Sequence, residues 1–130
     1  MSYDYDPLLA VGVRLGTPNG REFFDRHMAL LTEAFGGELV RDIEDVAKRS
    51  DLSAAERVCD RLCPGTTFEV SETEHSIDVA YACGERTGVQ TVESDPFFDL
   101  NKAVALATAS IRLNAEFRAT ADQRTMRLAA

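Results

Sequence analysis

Cys59, Cys63, His75 and Cys83 carry between them the ligand types of a zinc site with three thiolates and one imidazole. Their spacing is not the two-residue gap by which zinc ribbons and knuckles place paired thiolates on one tight turn. Cysteines buried as small hydrophobes are the commoner fate of such residues. The three cysteines leave at least one thiol unpaired within the chain, and Cys59 and Cys63, four apart, would be neighbours on one helix face and poorly placed for a disulfide. His27 falls in an apolar stripe and reads as a boundary histidine with one satisfied ring nitrogen, a pH-sensing or catalytic role being the sharper alternative. His75, between Glu74 and Ser76, reads as a surface turn residue. The run Cys83, Gly84, Glu85, Arg86 could set a thiol beside a guanidinium that lowers its pKa, and it also has the composition of a tight loop after a strand. No nucleophile, base and acid are nominated together, and no phosphate-cradling glycine loop, zinc-protease helix or calcium loop is present. The residues therefore point to binding rather than catalysis. No catalytic residue, metal or cofactor is assigned, and an enzyme with a Cys/His centre stands as an alternative.

The elements that would position these residues follow from periodicity. Residues 1–7 read as an acidic, aromatic arm in which Tyr3 and Tyr5 could anchor a partner. Residues 8–15 alternate loosely and read as a strand, although Leu8, Leu9 and Ala10 also suit a helix. Thr17 and Pro18 have the composition of a helix start. Phe23, His27, Leu30, Leu31 and Ala34 then recur at helical spacing, widened by Phe24, Met28 and Phe35, until Gly36 and Gly37 stop the helix. A second helix places Leu39, Ile43, Val46 and Ala47 on one side and Arg41, Asp42, Glu44, Asp45 and Lys48 on the other. A third opens on a capping box from Ser53 to Glu56, buries Val58 and Leu62, and ends at Pro64 and Gly65.

The period then changes from 3.6 to 2. Phe68 and Val70, then Ile77, Val79, Tyr81 and Cys83, then residues 89–94 alternate, with polar turns at 72–76 and 84–88, which predicts an antiparallel meander. Ser94, Asp95 and Pro96 open a last element that runs from residue 97 to about 121 without glycine or proline, about 37 Å of helix. Phe97, Leu100, Val104, Ala107 and Ile111 form one apolar seam. Leu106, Leu113 and Phe117 form another, which needs a further helix of the domain or a second subunit to cover it. The fold class is thus α+β, with N-terminal helical segments, preceded by one strand on the reading of residues 8–15, a three-stranded antiparallel meander, and a long C-terminal helix packed on the sheet. Residues 1–130 form a single domain of ordinary size.

Composition sets the class of partner. The formal charge is −8 over 130 residues, which repels bare phosphate backbones and anionic lipid and so excludes direct nucleic-acid and membrane-surface binding. No apolar run is long enough for a membrane span, and the first residues lack a signal-peptide pattern, so a cytoplasmic protein is expected. The charge is not spread evenly: residues 1–65 are net −4, residues 66–99 net −7 and residues 100–130 net +3. Asp95 suits a helix N-terminus. That local account does not reach Glu69, Glu72, Glu74, Asp78 or Glu85. A solvated sheet face that keeps the chain soluble is the plain explanation; an acidic patch docking on lysines and arginines is the functional one. On the second, the partner-binding residues are Glu69, Glu72, Glu74, Asp78, Glu85 and Asp95.

Residues 66–113, with Asp95 and Pro96 leading into Asn101, Lys102, Ala103, Val104, Ala105, Leu106 and Ala107, resemble small acidic proteins of phages and mobile elements. Anti-CRISPR inhibitors are among these. The resemblance implies a non-enzymatic inhibitor that docks an acidic surface on a basic protein or nucleoprotein complex. An acidic dimeric chaperone or assembly factor, paired through the C-terminal helix, is the alternative from a different class.

Overall fold

The computed structural model describes residues 6–15, 17, 19–93 and 101–129, with side chains as far as residue 120. Four helices, α1 (Pro7–Arg14), α2 (Gly20–Phe35), α3 (Gly37–Arg49) and α4 (Leu52–Leu62), precede three strands, β1 (Thr67–Glu72), β2 (Ser76–Cys83) and β3 (Arg86–Glu93), and a long helix α5 (Lys102–Ala129) closes the chain. The strands form one antiparallel meander in the order β1-β2-β3, as the period-2 pattern predicts. No described helix is long and apolar enough to cross a membrane.

Residues 8–15 are helical, not a strand. Asp6 caps α1, accepting the Leu9 N–H at 3.2 Å, and Pro7 follows at a position whose missing N–H costs nothing. The buried set is Leu8, Val11, Gly12 and Leu15, which is helical spacing, while Val13, inward-facing in the strand reading, is half exposed. Asp6 and Pro7 thus belong to the folded body rather than to an arm. The Asp6 carboxylate also pairs with Arg118 of α5 at 2.7 Å, tying the first helix to the last.

Other boundaries shift for equally local reasons. α2 starts at Gly20 after Asn19, and the Thr17 hydroxyl instead donates to the Arg14 carbonyl at 2.9 Å. α4 is capped by Asp51, which accepts the Ala54 N–H at 3.3 Å, so the cap lies two residues before the Ser53 box. Within α2 the buried positions are Gly20, Phe24 and Leu31, whereas Leu30 and Ala34 of the expected stripe are exposed. Among the described elements the helix packs on α1 and α3 alone. The hairpin between β2 and β3 is tighter than residues 84–88: Cys83 pairs with Arg86, and Gly84 takes φ +62° at the first central position, a conformation glycine enters without strain.

α5 is the organising element. Every residue from 103 to 111 is buried, so the helix is enclosed on all sides over that stretch. α1, α3 and α4 cover one side and the three strands the other. Both seams are therefore occupied within the chain: Val104, Ala107 and Ile111 are buried, and so are Leu106 and Leu113, with Phe117 partly buried against the core. The second seam needs no second subunit. Gly12 permits a close crossing of α1 over α5, since a Cβ there would stand 2.8 Å from Ile111 Cγ2, and Thr108 Oγ1 donates to the Gly12 carbonyl at 3.2 Å. The expected opening at Ser94, Asp95 and Pro96, with Phe97 and Leu100 of the first seam, lies outside the described residues. The described start is Asn101, whose side chain accepts the Val104 N–H at 3.0 Å and donates to Ser50 Oγ at 2.9 Å.

Candidate functional site

The meander shows two unlike faces. Phe68, Val70, Ile77, Val79 and Tyr81 turn towards α5. The opposite parity carries Thr67, Glu69 and Ser71 of β1, Asp78, Ala80 and Ala82 of β2, and Thr87, Val89, Thr91 and Glu93 of β3. α5 is the one helix in close backbone contact with the strands among the described residues, and it lies on the inner face.

Register decides which acids converge. Glu69 pairs with Ala80, Asp78 with Ser71 and Thr91, and Glu93 with Ser76. Glu69, Asp78 and Glu93 therefore run diagonally across the three strands, with diagonal neighbours about 7–8 Å apart, inside the screening length of physiological salt. Glu72 and Glu74 lie at one end of the sheet, around the β1–β2 turn, with Glu74 3.9 Å from His75. Glu85 occupies the β2–β3 turn at the other end. The six expected partner-binding residues are thus not one cluster. Two of them share the outer face, two mark one rim, one marks the opposite rim, and Asp95 lies outside the described residues. Glu93 joins the row and was not among the expected six, although its alternation with Val92 could have placed it on the outer face.

The carboxylates of the helical half are treated differently. Asp42, expected on the solvent side of α3, is buried at 5% exposure and binds Arg57 at 2.9 Å and Arg61 at 3.4 Å, both from α4. Glu38 holds Arg61 at 2.7 Å. Asp42 raises the Arg57 guanidinium above its ordinary range, and Glu38, then Asp42, do the same for Arg61. Asp25 pairs with Lys48, Asp45 with Arg49 and Glu22 with Arg26. Among the described residues, Glu69, Glu72, Glu85 and Glu93 make no ion pair, and Asp78 only accepts the Thr91 hydroxyl at 2.9 Å. Neither Arg112 nor Arg118 of the C-terminal segment pairs with them. Arg112 donates to the Thr91 carbonyl and Arg118 is taken by Asp6 and Asn114.

The cysteine and histidine candidates separate in space. Cys59 and Cys63 are buried against α5, their thiols directed at the carbonyls of Leu106 and Ser110. Burial pushes Cys59 up to about 12, with Ser110 opposing, and Cys63 up to about 11. His75 precedes β2 and Cys83 ends it, so the length of the strand, about 23 Å at the usual rise per residue, separates them, and no cluster of metal-ligating side chains occurs among the described residues. His27 stacks on Phe23 at 4.2 Å, and its Nδ1 lies 2.9 Å from the Phe23 carbonyl. The Arg86 guanidinium lies 4.8 Å over the Phe117 ring.

The two buried thiols give a pH-dependent expectation. A raised folded pKa means the folded state holds its proton while the unfolded chain loses it, so stability is full below about pH 9 and falls between about 9 and 11–12. Each thiol contributes a slope of about 1.4 kcal/mol per pH unit there. Urea unfolding from pH 8 to 10.5 is expected to show a shallower alkaline loss for Cys63→Ala than for the parent. Iodoacetamide should label Cys83 well before Cys59 and Cys63.

A groove beside the sheet was not anticipated from the sequence. α4 and β1 both flank α5 without meeting in close backbone contact. Between them lies a groove of about 380 Å³ lined by Leu52, Glu56, Cys59, Asp60, Thr66, Phe68, Val70, Lys102 and Leu106. The Thr66 hydroxyl is enclosed there without a hydrogen-bond partner among the described residues, an arrangement that costs about 1–3 kcal/mol. No family model, curated protein or solved structure matches the chain.

Proposed function

We propose that this chain is a non-enzymatic binding protein that lays the acidic outer face of its meander on a basic surface of a nucleic-acid-handling protein, acting as an anti-CRISPR-like inhibitor. The observation that carries this reading is the division of the carboxylates. Those of the helical half are largely consumed in internal ion pairs, whereas Glu69, Asp78 and Glu93 stand in a row without a cation among the described residues. Like charges held this close repel one another, and a partner's lysines and arginines would relieve that repulsion. The mechanism is steric and electrostatic: the carboxylates occupy side chains that otherwise hold phosphates. Glu72, Glu74 and Glu85 extend the field to both ends of the sheet and steer the approach.

The test is capture of basic proteins from a lysate by the intact chain at about 50 mM and about 500 mM salt, a range over which exposed charge pairs are progressively screened. Capture is expected at low salt, to be lost at high salt, and to fall about tenfold for Glu69→Lys with Asp78→Lys and Glu93→Lys. Capture that survives both the salt and the triple reversal sinks the reading.

A further inference from the structure

The β1–β2 turn shows which backbone groups of β1 are paired. Thr73 N–H donates to the Ser76 carbonyl at 2.8 Å and the Ser76 N–H donates to the Thr73 hydroxyl at 3.0 Å, so these two residues face one another as a hydrogen-bonded pair, and such pairs alternate along an antiparallel ladder. Counting back, Thr67, Glu69 and Ser71 point their N–H and C=O groups at β2. Phe68, Val70 and Glu72 point theirs away, to the free edge of the sheet. No hydrogen bond from another described element reaches those three. On β3, by contrast, Arg112 donates to the Thr91 carbonyl. Among the described residues β1 therefore presents a row of open donors and acceptors beside the groove, whose lining includes Phe68, Val70 and Leu106.

We infer that the β1 edge and the groove beside it take up an extended segment of a partner protein, added to the sheet as a fourth strand, with apolar and basic residues in alternation. Backbone bonds to Phe68, Val70 and Glu72 supply the register. Every second side chain of the added strand then faces α5, where Phe68, Val70, Leu106 and the 43%-exposed Leu52 form an apolar bed. The intervening side chains face the outer side, where Glu69 of β1 stands, while Glu56 and Asp60 of α4 make the far rim of the groove acidic, so lysines on the added strand meet carboxylates on either side. Charge selects the occupant. A second copy of this chain, paired β1 to β1, would set Glu69 and Glu72 against their own equivalents in a protein of net charge −8, whereas a basic strand is complementary. The edge and groove share only Glu69 with the outer-face row, and binding there does not rest on Asp78 or Glu93.

The probe is an acetylated, amidated nonapeptide of alternating lysine and valine, titrated into the ¹⁵N-labelled full chain at low salt. Amide exchange at Phe68, Val70 and Glu72 is expected to slow about tenfold or more, because these are the open edge groups. Antiparallel addition turns the valine N–H groups towards β1, so methylating the valine nitrogens should abolish the protection and methylating the lysine nitrogens should spare it. Glu56→Lys with Asp60→Lys, both at exposed positions, is expected to weaken binding about tenfold. Asp78→Lys with Glu93→Lys, which disrupts the outer-face row, should leave it within about twofold, so the two proposals fail separately. Absence of protection at millimolar peptide overturns the inference, as does equal protection by the valine-methylated peptide. A free protein that sediments as a dimer with these three amides already protected overturns it in favour of a second copy.

Discussion

Ile111→Ala is expected to destabilise the protein by about 3–4 kcal/mol, measured by urea unfolding at pH 7. Ile111 is fully buried in the all-round enclosed stretch of α5, with its γ-methyl group against the backbone of Gly12 in α1. Gly12→Ala alone should cost about 1–3 kcal/mol, because its new methyl would meet Ile111 Cγ2 at 2.8 Å and the crossing must open. Opening it also stretches the Thr108 hydroxyl bond to the Gly12 carbonyl. In the double variant the new methyl enters the space the isoleucine vacates. Its cost should therefore fall below the sum of the two single costs by about 1 kcal/mol or more. Simple additivity would mean that α1 does not cross α5 at this point.

The second large effect concerns the buried carboxylate of α3. Asp42→Ala is expected to cost about 2 kcal/mol, since it removes the shared acceptor of Arg57 and Arg61 and unstitches α3 from α4. The released guanidinium groups can still turn to water, which limits the loss. Arg57→Ala with Arg61→Ala is expected to cost more than Asp42→Ala, because the anion then stays enclosed with neither partner. A double arginine variant as stable as Asp42→Ala, by the same urea unfolding, would show that Asp42 reaches solvent. Since α4 forms one wall of the groove beside β1, these variants should also weaken peptide binding there, whereas Ile111→Ala should do so only through global stability.

Much of the architecture was legible in the residues because it rests on local rules. The change of period at about residue 66 located the meander, Gly36 and Gly37 separated α2 from α3, and the glycine- and proline-free run predicted α5. The misread segments are those where two local signals competed. Residues 8–15 satisfy a loose alternation as well as a helical face, and the Asp6 cap with its pairing to Arg118 settles the matter from 112 residues away. Asp42 sits in a helix whose polar side is rich in acids, and nothing in its own segment marks it as the one turned inwards. The two arginines that make its burial tolerable come from the next helix.

By itself the sequence determined the fold class, the absence of a metal-type cysteine spacing and the concentration of negative charge in residues 66–99, because composition and period are properties of the chain read one stretch at a time. Only the tertiary structure decided which acids share a face, since a register of paired strands sorts Glu69, Asp78 and Glu93 from Glu72, Glu74 and Glu85. It also decided that the second seam of α5 is consumed inside the chain, and that α4 and β1 leave a groove beside an open strand edge. The physical reason is the same in each case. Charge pairing, helix burial and edge exposure depend on neighbours brought together across the chain, and no window of sequence contains them.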